Sequence, residues 1–190
     1  MKTKDVAFSG LMIALFIVIG FLFRGNIRTV QTYLEIIKTM VVAVAVRNIS
    51  PKARWVFPIA CLVASMILIP FYEVLIYNVP SVVGGYVVGI QKENTKQILN
   101  YLVFVVVNSI MIIYEFGVFG FFMKTNLFLV YQEQAADLLT QFLGGAVTGS
   151  MVKIGFIVFM IGDSAFSSAV IFILSQLVIK KLKGIMQNGV

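Results

Sequence analysis

The sequence predicts an all-α polytopic membrane protein: a six-transmembrane-helix bundle that forms a single membrane domain over residues 1–190. Sixty per cent of the residues are hydrophobic, and the mean hydropathy is +1.00. Uncharged runs cover residues 6–23, 55–72, 74–91 and 98–114. About 20 mostly apolar residues suffice to cross a hydrocarbon core of ~30 Å. The polar helix faces that a soluble domain would need are not evident.

The six predicted spans cover, in chain order, residues 6–23, 30–46, 53–69, 74–90, 98–119 and 149–179. The first lacks a small-residue cleavage pattern and is too long for a signal-peptide core, so it is expected to be retained. The second is the least apolar, because Glu35 and Lys38 interrupt it. The third and fourth are separated by little more than residues 70–73, which predicts a tight turn. The sixth is too long for one crossing and is expected to project outward at its start.

The distribution of cations predicts that both the N- and C-termini face the cytosol. With the N-terminus inside, the inner segments hold ten of the 15 lysine and arginine residues: Lys2, Lys4, Arg47, Lys52, Arg54, Lys92, Lys96, Lys180, Lys181 and Lys183. Short cytosolic loops carry such an excess. The net charge of +7 is therefore a topology signal, and no nucleic-acid partner is expected because no basic face on a soluble element is evident.

Several kinds of chemistry are missing from the chain. There is no histidine and only one cysteine, Cys61, which is expected to pack within the third span. No phosphate-binding loop of the G-x-x-x-x-G-K-[ST] type is present, so no ATP hydrolysis by that route is expected. We expect no metal site, no cofactor and no catalytic residues in this chain. An enzyme that used Glu115 and Asp163 is a less favoured alternative.

Polar residues on four spans are predicted to lie in the same outer half of the membrane. Polar groups at that depth are costly and mark candidate functional sites. Tyr101, Asn108 and Glu115 recur every seven residues and share one helix face. The alternative is hydrogen bonding between helices, above all for Asn108 and the serines. The candidate substrate-binding residues are Tyr33, Glu35, Lys38, Tyr77, Asn78, Asn108, Tyr114, Glu115, Asp163 and Ser167. Most phenylalanines are expected to face lipid or the core, so tyrosines would have to stack on a flat ligand.

Two segments are candidate lids over that pocket. Residues 127–142 show the apolar spacing of an amphipathic helix at the membrane interface, with Gly144 and Gly145 as a hinge. Residues 24–31 form a second candidate, as a loop.

Small residues form seams along three spans. Ala7, Gly10 and Ala14 lie at the cytosolic end of the first span, where a partner inside the cell could reach them. The seams of the fourth span (Ser81, Gly85, Gly89) and of the sixth (Gly155, Gly162, Ala169) are expected to pack within the bundle.

This layout resembles the S component, the substrate-binding membrane subunit, of energy-coupling factor (ECF) vitamin transporters. Those subunits share the size, the six spans, the cytosolic termini and an A-x-x-x-A-type docking motif on the first span. Here Gly10 and Ala14 in the stretch AFSGLMIAL occupy the motif positions, and Ala7 extends the seam. The first alanine is replaced by glycine, and the likeness covers the layout more than the exact sequence.

The resemblance implies a multi-pass protein of the bacterial cytoplasmic membrane that binds a water-soluble vitamin in an outward pocket and topples to release it inside. A coupling transmembrane subunit and two ATPase subunits would be the partners, and they would use the ATP. Pyridoxine or hydroxymethylpyrimidine is the favoured substrate. Pantothenate is the next candidate and would need a cation such as Arg28, Lys38 or Lys153. An autonomous small transporter or channel remains the alternative function.

Overall fold

The computed structural model describes residues 3–22, 28–91, 97–143 and 149–188. In these ranges the backbone is helical, without strands, which confirms the all-α class. The helices are α1 (Thr3–Leu22), α2 (Arg28–Asn48), α3 (Val56–Leu68), α4 (Phe71–Ile90), α5 (Gln97–Met123), α6 (Leu127–Leu143) and α7 (Gly149–Asn188).

Four helices of the described ranges are long and apolar enough to cross a membrane, and they mark the chain as membrane-embedded. They comprise Thr3–Phe21, Phe71–Ile90, Gln97–Met123 and Gly149–Lys181, which correspond to the predicted first, fourth, fifth and sixth spans. The helix of the predicted third span is shorter than expected, with 13 residues. It begins late because residues 51–55 form a turn in which the Ser50 carbonyl accepts from the amides of Ala53 and Arg54.

The charged second segment forms a helix that is more enclosed, over its described residues, than the described parts of the other long helices. Residues 41–46 of α2 are all buried, and α2 packs against α1, α3, α4 and α7. Its apolar side chains join Met12 and Phe16 of α1 and Phe57 and Cys61 of α3 in the main core cluster. The buried position predicted for Cys61 is confirmed. Because neighbouring helices surround α2, the side chain of Lys38 meets protein instead of lipid.

Two glycines set the distance between α2 and α4. A Cβ atom on Gly85 would lie 2.5 Å from the Thr39 carbonyl oxygen and 2.6 Å from the Val42 Cβ. A Cβ on Gly89 would lie 2.7 Å from the Val46 Cβ. Since such separations are too short for real side chains, only glycine permits this approach. The expected packing role of the seam on the fourth span is thus confirmed.

Two glycines of α7 do not pack within the bundle, although the sequence predicted that they would. Gly155 and Gly162 are exposed, and a Cβ on Gly162 would have no atom within 4 Å. The face of α7 that packs on α5 is formed instead by serines, of which Ser164 and Ser168 are buried. Packing within the bundle was therefore the wrong interpretation for these two glycines.

The connection between α3 and α4 is as tight as predicted. The helix α3 ends at Leu68, where the Ile69 amide donates to the Ser65 carbonyl oxygen at 2.8 Å, and α4 begins at Phe71. Near its start α4 contains one π-helical turn, Val74–Asn78. Pro80 lies just beyond this turn and removes one backbone donor from the helix. Irregular turns of this kind often occur at functional sites.

The predicted amphipathic segment is helical, and α6 packs against α7 and α5. Its role as a lid stays a prediction, and the proposed hinge at Gly144 and Gly145 lies outside the described residues. The second lid candidate is not a loop over its last part, because residues 28–31 form the first turn of α2. Residues 24–27 also lie outside the described ranges. The helix α7 is continuous over 40 residues, which confirms that it is too long for one crossing.

Candidate ligand-binding cavity

A cavity of about 710 Å³ lies among α2, α4, α5 and α7. Its wall is formed by inward-facing residues within the segments 35–39 of α2, 76–84 of α4, 104–119 of α5 and 156–171 of α7. These residues lie in the central turns of α2 and α4, in the middle and C-terminal part of α5, and mainly in the N-terminal half of α7. The wall excludes residues 40–48 of α2, 85–90 of α4 and 97–103 of α5, so the cavity stops short of that end of the bundle. The volume falls within the range of ~300–1,000 Å³ that is usual for small-molecule sites.

Six of the predicted site residues meet at this cavity. They come from all four helices of the wall and are Glu35, Tyr77, Asn108, Glu115, Asp163 and Ser167. Three of the six carry carboxyl groups, each on a different helix. That these residues bind a substrate stays a prediction, but the structure places them around a common volume.

Two further predicted residues, Lys38 and Asn78, are buried next to the lining without being part of it. Lys38 is 5% exposed, and its Nζ donates to Oδ1 of Asn78 at 3.0 Å. The same ammonium group lies 5.9 Å from the ring centroid of Phe16 on α1, within reach of a cation–π interaction. Its charge also interacts with the carboxyl groups of Glu35 and Glu115. Lys38 therefore connects α1 and α4 to the acidic groups of the cavity.

The structure does not bring Tyr33 and Tyr114 to the cavity. Tyr33 is 63% exposed, and neither ring belongs to the wall. The reason is helical geometry. Successive residues are turned by about 100°, so Tyr33 faces nearly opposite to Glu35, and Tyr114 faces sideways from Glu115.

The aromatic surface of the cavity comes mainly from phenylalanine, which sequence reasoning assigned to lipid and core. Beside Tyr77, the wall contains Phe104, Phe116, Phe119, Phe156 and Phe159. The helix faces defined by Asn108 and Glu115 on α5, and by Asp163 and Ser167 on α7, pass through these positions at spacings of three or four residues. Extending those faces along each helix would have found them. The ring centroid of Phe128 on α6 lies 5.0 Å from that of Phe116 and 6.2 Å from that of Phe156. The helix α6 therefore contacts the same aromatic wall.

Polar groups also join α5 to α7, which confirms the interhelical alternative for Asn108 and the serines. The Nδ2 of Asn108 donates to Oγ of Ser167 at 3.1 Å and to Oγ of Ser168 at 3.0 Å. The hydroxyls of Ser109 and Ser164 are 2.8 Å apart. Tyr101 donates to the Ala165 carbonyl oxygen at 2.9 Å. Asn108 and Ser167 therefore hold two helices together while they line the cavity.

Replacement of Asn108 by leucine is expected to lower the free energy of unfolding by about 1 kcal/mol. The leucine keeps a similar volume but cannot donate to the serines, and interhelical hydrogen bonds in membranes are worth about 0.6–2 kcal/mol. Unfolding in mixed micelles measures the change. A Gln141→Leu variant, which replaces an amide by leucine at an exposed position of α6, is the control. Equal stability of wild type and the Asn108 variant would contradict the role of the bond.

The wall of the cavity is acidic. It contains Glu35, Glu115 and Asp163, and no lysine or arginine belongs to its described lining. Of the cations considered for a carboxylate ligand, Lys153 is exposed away from the wall, Lys38 is bonded to Asn78, and the side chain of Arg28 lies outside the described part. Within the described residues no group of three acids lies close enough together to hold a metal ion.

Comparison with known proteins gives no relative for this chain: no family model, no curated protein and no solved structure matches it.

Proposed function

We propose that the chain is the S component of an ECF-type vitamin transporter, a multi-pass subunit of the bacterial cytoplasmic membrane. The observation that carries the proposal is the cavity itself. Polar and aromatic side chains of four helices surround about 710 Å³, and the wall stops short of the bundle end formed by residues 40–48 of α2 and 85–90 of α4. A binding subunit needs a pocket that ends within the bundle, whereas a channel needs an open path from one side to the other.

The charge distribution supports an outward-facing orientation of that pocket. In the proposed topology α1 to α5 and α7 are the six spans, and both termini are cytosolic. Lys4, Arg47, Arg54 and Lys180 then lie at the inner end of the bundle, as the positive-inside rule requires. The cavity does not reach this inner end, since its wall excludes residues 40–48 of α2 and 85–90 of α4.

A free docking surface on α1 supports the need for a partner. Ala7, Gly10 and Ala14 are exposed, and a Cβ on Gly10 would meet no atom within 4 Å. The other side of α1 packs into the core through Met12 and Phe16. In the proposal, a helix of the coupling subunit packs against these small residues. Because this chain has no phosphate-binding loop, two ATPase subunits hydrolyse the ATP that drives transport.

Replacement of Gly10 or Ala14 by leucine is expected to reduce partner-dependent uptake at least about tenfold while ligand binding is unchanged. A bulky residue at either position would keep the coupling helix away, but the open space around Gly10 leaves the fold of the chain intact. ATP-driven uptake into proteoliposomes that contain the coupling module measures the effect. Gly117→Leu on α5, another exposed glycine with nothing within 4 Å of its Cβ, is the control.

Two results would contradict the proposal. Uptake at the wild-type rate in both α1 variants would remove the docking assignment. Flux through the isolated chain, without partner or ATP, would favour an autonomous transporter or channel instead.

A further inference from the structure

We infer that the cavity takes an organic cation: a compact aromatic or heteroaromatic ring that bears a positively charged nitrogen. The inference deepens the proposed function by naming the class of substrate, and its transport role rests on that proposal. Its chemical part depends only on the charges and rings that surround the cavity.

The first argument is charge. Glu35, Glu115 and Asp163 contribute carboxyl groups from three helices, and the described lining supplies no positive side chain to face them. Carboxylates at membrane depth are costly unless a positive charge accompanies them. A bound cation would provide that charge inside the cavity, whereas a carboxylate ligand would add to the repulsion.

The second argument is the position of Lys38. This cation interacts with Glu35 and Glu115, yet the Nζ hydrogen bond to Asn78 and the contact with the Phe16 ring hold it outside the lining. Asn78 is 3% exposed, and its Nδ2 has no hydrogen-bond partner among the described groups. Lys38 thus offsets part of the negative charge from one side and leaves the side toward the cavity for a ligand.

The third argument is the aromatic wall. Tyr77 and five phenylalanines, among them Phe116 and Phe159, surround the same volume. The faces of such rings attract cations and stack on flat ligands. The described acids do not form a group that could hold a metal ion. The combination of separated carboxyl groups with aromatic rings fits an extended organic cation better than an inorganic one.

Three probes with one ring test the inference on the purified chain: nicotinate, nicotinamide and 1-methylnicotinamide, which carry negative, zero and positive charge. Equilibrium binding by calorimetry is expected to favour 1-methylnicotinamide over nicotinate at least about tenfold. Equal or stronger binding of nicotinate would overturn the inference. The inference would also be overturned if 1-methylnicotinamide did not bind at concentrations up to about 10 mM, which exceeds the dissociation constant of even a weak specific ligand, about 1 mM.

Neutral variants identify the groups responsible. Glu115→Gln and Asp163→Asn are each expected to weaken binding of 1-methylnicotinamide at least about fivefold and to leave nicotinamide unchanged. Because Asp163 is exposed, its variant keeps the test informative if the substitution at the half-buried Glu115 impairs folding. The exposed residues Glu133 and Asp137 of α6 supply the matched controls Glu133→Gln and Asp137→Asn. Unchanged cation binding in the Asp163 variant and in a folded Glu115 variant would overturn the assignment.

The two proposals fail in distinguishable ways. A preference for the anionic probe together with partner-dependent uptake would overturn the ligand class alone. A preference for the cationic probe, without any uptake when the coupling module is present, would overturn the transporter function alone.

Discussion

Replacement of Gly85 by valine is expected to prevent formation of the native helix bundle. The first side-chain carbon would already lie 2.5 Å from the Thr39 carbonyl oxygen and 2.6 Å from the Val42 Cβ. Both atoms belong to α2 and cannot move aside without separating α2 from α4. Overpacking of a well-packed core usually costs about 1–3 kcal/mol, and more where backbone must shift. Here the displaced contact is the main helix pair of the core, so a loss of several kcal/mol is expected.

Size-exclusion chromatography and unfolding in mixed micelles measure this effect. The matched control is Gly162→Val on α7, where the same change adds a side chain into open space. We expect that control to purify and unfold like the wild type. A Gly85 variant as stable as the Gly162 variant would show that α2 and α4 do not approach each other as the structure has them.

Replacement of Lys38 by methionine is expected to cost about 3–5 kcal/mol, the usual effect of removing one partner from a buried set of charges. Lys38 is 5% exposed, and the carboxyl groups of Glu35 and Glu115 are near enough to interact with its charge. Methionine retains the length and most of the packing against Phe16 but removes the charge. It also removes the hydrogen bond to Asn78, which leaves that buried amide oxygen without its donor.

A second substitution tests the cause of that loss. The double variant Lys38→Met with Glu35→Gln removes one negative charge along with the positive one, and it is expected to recover part of the stability. Lys153→Met, at an exposed position of α7, controls for the general effect of a lost cation. Full wild-type stability of the single variant Lys38→Met would contradict the proposed charge balance.

Hydropathy predicted the helices that can face lipid. It could not predict which helix would be surrounded by the others. The runs that become α1, α4, α5 and α7 stand out because a lipid-facing helix must be apolar along its length. The enclosed helix α2 needs no such uniformity. Glu35 and Lys38 made it the weakest predicted span, although residues 41–46 are the most thoroughly buried stretch among the residues whose burial is described.

Helical spacing predicted the polar residues of the cavity wall, but the amino-acid composition gave no sign of which phenylalanines belong to it. Asn108 and Glu115 share a face by their interval of seven residues, and both line the cavity. Phenylalanines gave no comparable signal, because the same side chain suits lipid, core and binding site. Phe104 is fully buried at the cavity whereas Phe166 is 72% exposed. Only the rotation of each helix against its neighbours distinguishes them, and that rotation depends on contacts such as those of Gly85.

The continuous course of α7 has a mechanical consequence. At ~1.5 Å per residue its 40 residues form a rod of roughly 60 Å, about twice the hydrocarbon thickness. The rod carries one wall of the cavity in its first half and is packed against α6 there. A tilt of about 20°, which is ordinary for membrane helices, would swing one end by about 20 Å relative to the other. The cavity wall and α6 would then move together. In the proposed function, tilting of this single helix, more than the opening of a loop, would therefore control access to the cavity.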